Sequence, residues 1–309
     1  MRDVSRKSTS LRSATATAVV RACPETIERI RVRDLPKGDA LEVARVAAIQ
    51  AAKDTSRIIP HCHPVAITHV AVEYEWGADS VIVRASVKAI DRTGVEMEAL
   101  TAASVAALTI YDMVKMLDDR VEIEAVKLIE KKGGKSDFQD GLDRPVRSGV
   151  LVASDSVSAG KAEDSSGPLI EARLREEGFE VIERRVIPDD RAQIVEVLKH
   201  FADTLHVDLV LTTGGTGLGP RDRTPEAMSE VIEREIPGIA EALRTHGGQR
   251  TPFAMLSRGR AGVRGQTVVI NLPGSERGVA ESLDALFPGL RHAFRMLWGE
   301  SHREKRARG

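Results

Sequence analysis

Aromatic residues and cysteine are scarce in this chain: two Trp, two Tyr, six Phe and two Cys among 309 residues. Cys23 and Cys62 are too few for a disulfide framework, which fits a reducing cytoplasm. No apolar run is long enough for a signal peptide or a membrane anchor. A net charge of −1 argues against a dedicated nucleic-acid or acidic-surface binder. Internal repeats and low-complexity segments are also missing. The first twenty residues, rich in Arg and Ser, have the composition of a transit peptide, but Ala14–Val20 already reads as a first strand. These absences point to a soluble globular protein, long enough for two domains.

The stretch Thr93–Leu117, TGVEMEALTAASVAALTIYDMVKML, concentrates the apolar content. Thr93 followed by Glu96 has the form of a capping box, and Ala, Leu, Val and Ile on almost every side predict a helix buried all round. Its uncharged run, Ala99 to Tyr111, is too short to span a bilayer. Glu98, Thr101, Ser104, Thr109, Asp112 and Lys115 fall within an arc of roughly 140°. Buried carboxylates and ammonium groups need partners, so this stripe reads either as the wall of a site or as a structural Asp112–Lys115 pair. Glu98 and Asp112 lie roughly 21 Å apart along the axis. A site using both therefore belongs between subunits.

Upstream, Lys37-Gly38-Asp39 precedes a helix over Leu41–Lys53, with Asp39 and Glu42 as a cap pair, and places Lys37 where a phosphate is welcomed. In Pro60-His61-Cys62-His63-Pro64, two imidazoles and a thiol suggest a metal, yet no second ligand pair exists elsewhere. The turn can instead aim His61 or His63 at a ligand. Alternating segments Val70–Trp76 and Val81–Ile90, joined at Gly77-Ala78-Asp79, form a hairpin, and Val121–Ile129 is a further strand. The pattern is that of an α+β sandwich with helices on one face of an antiparallel sheet.

The segments KGDA, IIPHCHP, TGVEMEALTAASVAALTIYDMVK and GGKS, in this order, make residues 1–138 resemble cyclic pyranopterin monophosphate synthases of molybdenum cofactor biosynthesis. The resemblance implies a ferredoxin-like α+β fold and a hexamer, a trimer of dimers, with sites across subunit interfaces. It implies a lyase, without a cofactor, that rearranges a cyclised GTP-derived intermediate and expels pyrophosphate. Asp112 is then the catalytic acid or base with Lys115 and Lys37 as partners, and Cys62, His63, Met97 and Glu98 are substrate contacts. His61 stands where the motif more often has an aliphatic residue.

Residues 139–147 read as a linker. Beyond them, strands at Ser148–Ala153, Glu180–Val186 and Val207–Thr212 alternate with helices at Ser166–Glu177 and Ile194–Ala202, and a strand at Thr267–Asn271 follows. This predicts a three-layer, Rossmann-like α/β domain with a parallel sheet. Gly214-Gly215-Thr216-Gly217 directly after a strand suits a phosphate, although glycines there are also ordinary tight turns. Asp189 and Asp222, at neighbouring strand ends, suit Mg²⁺ on a nucleotide, or else each caps a helix.

The motifs IPDD, TTGGTGLGPRDRTPEA and NLPGS make residues 148–298 resemble molybdopterin adenylyltransferases. The resemblance implies transfer of AMP from Mg-ATP to molybdopterin, with Asp189 and Asp222 serving the metal-dependent step. Ser154, Asp155, Gly214, Gly215, Thr216, Gly217 and Ser275 then line the pocket, and Ser156 replaces a more common Arg or Thr. The expected partners are pterin and nucleotide substrates and further copies of the chain, with no nucleic acid and no membrane. A competing reading makes this half a non-catalytic pterin- or nucleotide-binding module. A basic tail, residues 299–309, completes the chain.

Overall fold

The computed structural model describes residues 1–138, 141–287 and 289–299. Residues 300–309 of the basic tail, and 139 and 140 of the expected linker, lie outside the described residues. The chain divides into two compact units, Met1–Phe138 and Gln139–Gly309.

The first unit runs β1 (Ser10–Arg21), α1 (Pro24–Arg31), α2 (Ala40–Ile58), β2 (Ile67–Trp76), β3 (Ser80–Asp91), α3 (Glu96–Val114) and β4 (Glu122–Lys132). Its sheet is antiparallel with strand order β2-β3-β1-β4, consistent with the ferredoxin-like expectation. Alternation along β1 turns Ala14, Ala16, Ala18 and Val20 inward, and β3 does the same with Val81, Val83, Ala85 and Val87. Helix α3 meets them with Ala99, Ala102, Ala103, Ala106 and Ala107, while α2 adds Ala44, Ala48 and Ala52. The lack of aromatics has its counterpart here, because a core of residues mostly no larger than valine lets helices lie close on the sheet. By length and apolarity α3 also passes for a membrane span. Its inner face is fully buried against the sheet, which accounts for that apolarity.

Two expectations for α3 need correction. The helix is not buried all round: Met97, Leu108 and Tyr111 are exposed on a side that the rest of the unit leaves uncovered. Nor does Thr93 cap it. The N-cap is Val95, without a side-chain cap bond, and the Glu96 carboxylate accepts from Lys131 on β4 at 3.1 Å. A tertiary ion pair has taken the group that the local motif reserved for the cap. At α2 half of the expected cap pair holds: Asp39 accepts from the amides of Leu41 and Glu42, while the Glu42 carboxylate accepts from Arg45 instead of turning back to the cap.

The second unit contains β5 (Arg147–Ala153), α4 (Asp155–Ser158), α5 (Ser166–Glu176), β6 (Glu180–Ile187), α6 (Arg191–Lys199), β7 (Leu209–Thr213), α7 (Thr224–Val231), β8 (Arg234–Glu235), α8 (Pro237–Gly248), β9 (Ala261–Arg264), β10 (Thr267–Leu272), α9 (Glu276–Leu286) and α10 (Leu290–Leu297). The strand order is β6-β5-β7-β10-β9-β8. Only β6, β5, β7 and β10 are parallel; β9 and β8 are antiparallel, so the sheet is mixed and not wholly parallel as the alternation predicts. The cause is a tight turn at Gly265, whose φ of +56° a glycine adopts without strain, which folds β10 back on β9. Alternate strand residues serve two cores. Val150, Leu209, Leu211 and Ile270 meet α5, α9 and α10, whereas Leu151, Val210 and Val269 meet α6 and α7. The unit therefore has three layers.

Part of the segment expected as a linker belongs to this unit. Leu142 packs on its core, Val146 is buried, and Arg144 grips the buried Asp208 with two bonds of 2.9 and 2.6 Å while its guanidinium lies 4.0 Å over the Trp298 ring. Removing Arg144 leaves a buried carboxylate with only the Arg147 amide among these contacts. Arg144→Ala is expected to cost about 2 kcal/mol and lower the unfolding temperature of the second unit by roughly 4–8 °C. Calorimetry checks this, and an unchanged transition means that the clamp contributes nothing.

Candidate functional site

The first unit brings together three residues far apart in sequence. Gly38, at φ +97°, turns the chain between Lys37 and the cap of α2. Lys37 Nζ then donates to the Asp112 carbonyl at 2.7 Å and to its carboxylate at 3.1 Å. Lys115, at the end of α3, reaches the other carboxylate oxygen at 2.7 Å. Hydrogen bonds from Lys115 and then Lys37 hold the Asp112 carboxyl below its ordinary range, and the same contact raises Lys115. Side chains of all three are between 40% and 56% exposed. Two ammonium groups against one carboxylate leave a net charge of +1, open to an incoming anion.

At the other end of α3, Cys62 lies beside Glu98. Burial pushes the Cys62 thiol up, with the Glu98 charge adding to it, and burial likewise raises the Glu98 carboxyl. His63 is half-buried, while His61 and Met97 are exposed. Among the described residues no three His, Cys, Asp or Glu side chains form a candidate metal-ligand group, so His61, Cys62 and His63 are not a ready zinc site. The polar stripe of α3 is also less uniform than its spacing predicts. Ser104 and Thr109 turn their hydroxyls back to the carbonyls of Leu100 and Val105, at 2.8 and 2.7 Å.

In the second unit, the site lies at the carboxyl ends of β5, β6 and β7. Gly214 has φ +99°, and a Cβ there would meet the Ala153 carbonyl oxygen at 2.1 Å. Gly215 has φ +63° and faces Asp189 Oδ1, which a Cβ would meet at 3.3 Å. Gly217 similarly faces Asp222 Oδ2. The glycine loop and both acids therefore share one corner of the domain.

Neither acid caps a helix. The cap of α6 is Asp190, which accepts from the Gln193 amide at 3.0 Å, and α7 begins after Arg223. Asp189 thus keeps a buried Oδ1 with no hydrogen-bond partner, while Oδ2 accepts the Asp155 amide at 3.1 Å. Burial, and after it the charges of Asp155 and Asp222, raise the Asp189 carboxyl. Asp222 Oδ2 accepts the Gly219 amide at 2.6 Å. Ser154 and Ser275 do act as caps, of α4 and α9. Asp155 holds Arg221 with two bonds of 2.8 and 2.9 Å and accepts the Asp189 amide at 3.0 Å. Arg221 escaped the sequence reading although it neighbours Asp222. A cleft of about 270 Å³ opens beside the loop, lined by Thr216, Gly217, Ser275 and Asn271 on the polar side and by Leu243 and Phe253 on the apolar side.

These two candidate sites lie in two separate compact units, and the comparisons divide the chain in the same way. Residues 1–134 match the MoaC family, and residues 149–292 match the probable molybdopterin binding domain. A molybdenum cofactor biosynthesis bifunctional protein of Chlorobaculum tepidum is 42% identical over 302 residues, 98% of this chain and 96% of the relative. A cyclic pyranopterin monophosphate synthase of Roseiflexus is 50% identical over 138 residues, 44% of this chain and 87% of the relative. The crystal structure of the molybdopterin biosynthesis enzyme MoaB from Thermus thermophilus is 47% identical, with a TM-score of 0.48, and the match covers 50% of this chain and 98% of that one. The chain belongs to the family of molybdenum cofactor biosynthesis bifunctional proteins.

Proposed function

We propose that the first unit, on a ferredoxin-like fold, is a cyclic pyranopterin monophosphate synthase, and that the second adenylates molybdopterin with Mg-ATP. For the first unit the supporting observation is the Lys37–Asp112–Lys115 cluster. Its lysines can hold a triphosphate and neutralise departing pyrophosphate, while the carboxylate moves protons as the ring opens and closes. Cys62, His63, Met97 and Glu98, at the far end of α3, belong to the same reaction only if a second copy supplies the other end. Exposed Val43 and Val46 on α2, and Leu108 and Tyr111 on α3, are the apolar surface that such an assembly would cover. A hexameric mass in light scattering is the outcome this reading requires.

For the second unit the reading rests on the unpartnered buried oxygen of Asp189 beside Asp222 and the glycine loop. Two carboxylates with free oxygens suit Mg²⁺, which binds through one or two carboxylates together with the phosphates of its nucleotide. The bound ion would neutralise charge on those phosphates during nucleotidyl transfer. The glycine amides bind phosphate oxygens, and the neighbouring cleft receives the pterin. Incubation of the chain with molybdopterin, ATP and Mg²⁺ is expected to yield adenylated molybdopterin by mass-resolved chromatography, and chelation of the metal to stop it. Molybdopterin binding without any product would reduce this half to a binding module.

A further inference from the structure

Arg258 lies in the irregular segment between Leu256 and β9, about 40 residues from the glycine loop, yet its polar contacts converge on that loop. Its backbone N–H donates to the Thr216 carbonyl at 2.9 Å. Nε donates to the Gly217 carbonyl at 2.8 Å, Nη2 to the Asp222 carbonyl at 2.7 Å, and Nη1 to the Glu226 carboxylate in the first turn of α7. One side chain thus ties together the start, the end and the helical continuation of the segment 216–226. Residues 217–223 have no regular secondary structure of their own. Within the loop, the Asp222 carboxylate is held by the Gly219 amide, a contact that moves with the loop and cannot fix it to the domain.

We infer that Arg258 is a positioning residue for the second site: together with the more exposed Arg221–Asp155 pair, its guanidinium fixes the 216–226 loop to the domain and thereby sets the distance of the Asp222 carboxylate from Asp189. The inference rests on the adenylyl-transfer reading for its catalytic consequence, but the fastening of the loop stands on the four contacts alone. The chemistry requires arginine. A planar guanidinium can address three acceptors in fixed directions at once, whereas an ammonium on a flexible stem cannot match that fork. Glu226, paired with Arg258, orients the guanidinium from the far side, and the same pair keeps the Glu226 carboxyl below its ordinary range. Misplacing a catalytic group by about 1 Å can cost about 10²-fold in rate. A substrate held by the glycine loop and the cleft keeps most of its contacts.

The test compares the full chain with Arg258→Lys and Arg258→Ala, and reads three quantities. The first is turnover and KM for ATP in molybdopterin adenylation. The second is hydrogen exchange of the 214–226 amides. The third is formation of cyclic pyranopterin monophosphate, which serves as an internal control. The expected result for Arg258→Lys is a fall in kcat of about 10²-fold with KM for ATP within about threefold, faster exchange confined to 214–226, and unchanged control activity. Glu226→Gln keeps an acceptor for the guanidinium and should lose no more than about fivefold. Full kcat in Arg258→Lys, or unchanged loop exchange in both Arg258 variants, overturns the inference. If the parent chain makes no adenylated product, the nucleotide reading fails by itself, and loop exchange alone decides whether Arg258 fastens the segment. Should Arg258→Ala fail to fold, the lysine variant carries the test.

Discussion

Asp112→Asn is expected to lower formation of cyclic pyranopterin monophosphate by about 10³-fold while leaving the fold intact, because the substitution removes proton transfer and keeps shape. General acid–base groups typically contribute about 10²–10⁴-fold. The cost in stability should be small, since ion pairs as exposed as those of Asp112 with Lys37 and Lys115 are largely screened by solvent. The sign of the pH dependence follows from the same contacts. The lysines hold the Asp112 carboxyl below its ordinary value near 3.9, so the carboxylate is charged throughout the neutral range. Its contribution to folding is present above the unfolded value and is lost as pH falls through the lower folded one. The acid limb that Asp112 imposes on kcat/KM, which reports the free enzyme, should likewise lie below the ordinary carboxylate range. Steady-state turnover of the variant across pH, beside its melting temperature, checks all three statements. Turnover within tenfold of the parent would falsify the catalytic role and return the cluster to a surface ion pair.

Much of this candidate site is legible in the sequence because its pieces are local. Asp112 and Lys115 are three residues apart, so helix geometry alone puts them on one face. Lys37, 75 residues from Asp112, joined them only through the family resemblance, because no periodicity relates a turn to the end of a distant helix. The same division runs through the second unit. Glycines following β7, and acids following β6 and β7, follow the rule that ligands bind at the carboxyl ends of parallel strands. The residues that hold them in place do not. Arg258 sits among other arginines and serines in an irregular segment, where a clamp and a solvated charge have the same sequence signature.

The misreadings have equally specific causes. The local signal at Thr93 and Glu96 is a sound cap motif, but Lys131 on β4 competes for the glutamate and wins. Helix α1 is eight residues long and begins with a proline, so it lacks the length over which a period can be counted. Strands β8 and β9 have two and four residues, too few for alternation to show that the sheet turns antiparallel at its edge. The exposed side of α3 looked like core because Leu108 and Tyr111 are apolar. Composition records that a face is apolar and is silent on whether the chain itself covers it.

Asp189→Asn is expected to lower adenylation severely and at the same time to stabilise the second unit at neutral pH, and the opposite signs make this the sharper of the two tests. The carboxylate is raised chiefly by burial, and Asp155 and Asp222 repel it further. A raised acid costs the fold stability as pH climbs from the unfolded value near 3.9 through the folded one, and that cost persists above it. Asparagine carries no charge to bury, and its side-chain oxygen still accepts the Asp155 amide that Oδ2 now accepts. The melting temperature of the variant should therefore exceed that of the parent at pH 7, and the gain should vanish below about pH 4. Adenylation should fall by about 10³-fold, because an amide is a poor ligand for Mg²⁺ and the phosphate charge goes uncompensated. Addition of Mg²⁺ and ATP should raise the melting temperature of the parent more than that of the variant, by the linkage of binding to folding. A variant that is both less stable and still active would show Asp189 to be structural. Stability gained where activity is lost is the mark of a strained group kept for a ligand: on that outcome, the buried, repelled carboxylate of Asp189 is kept for a cation whose charge offsets the repulsion.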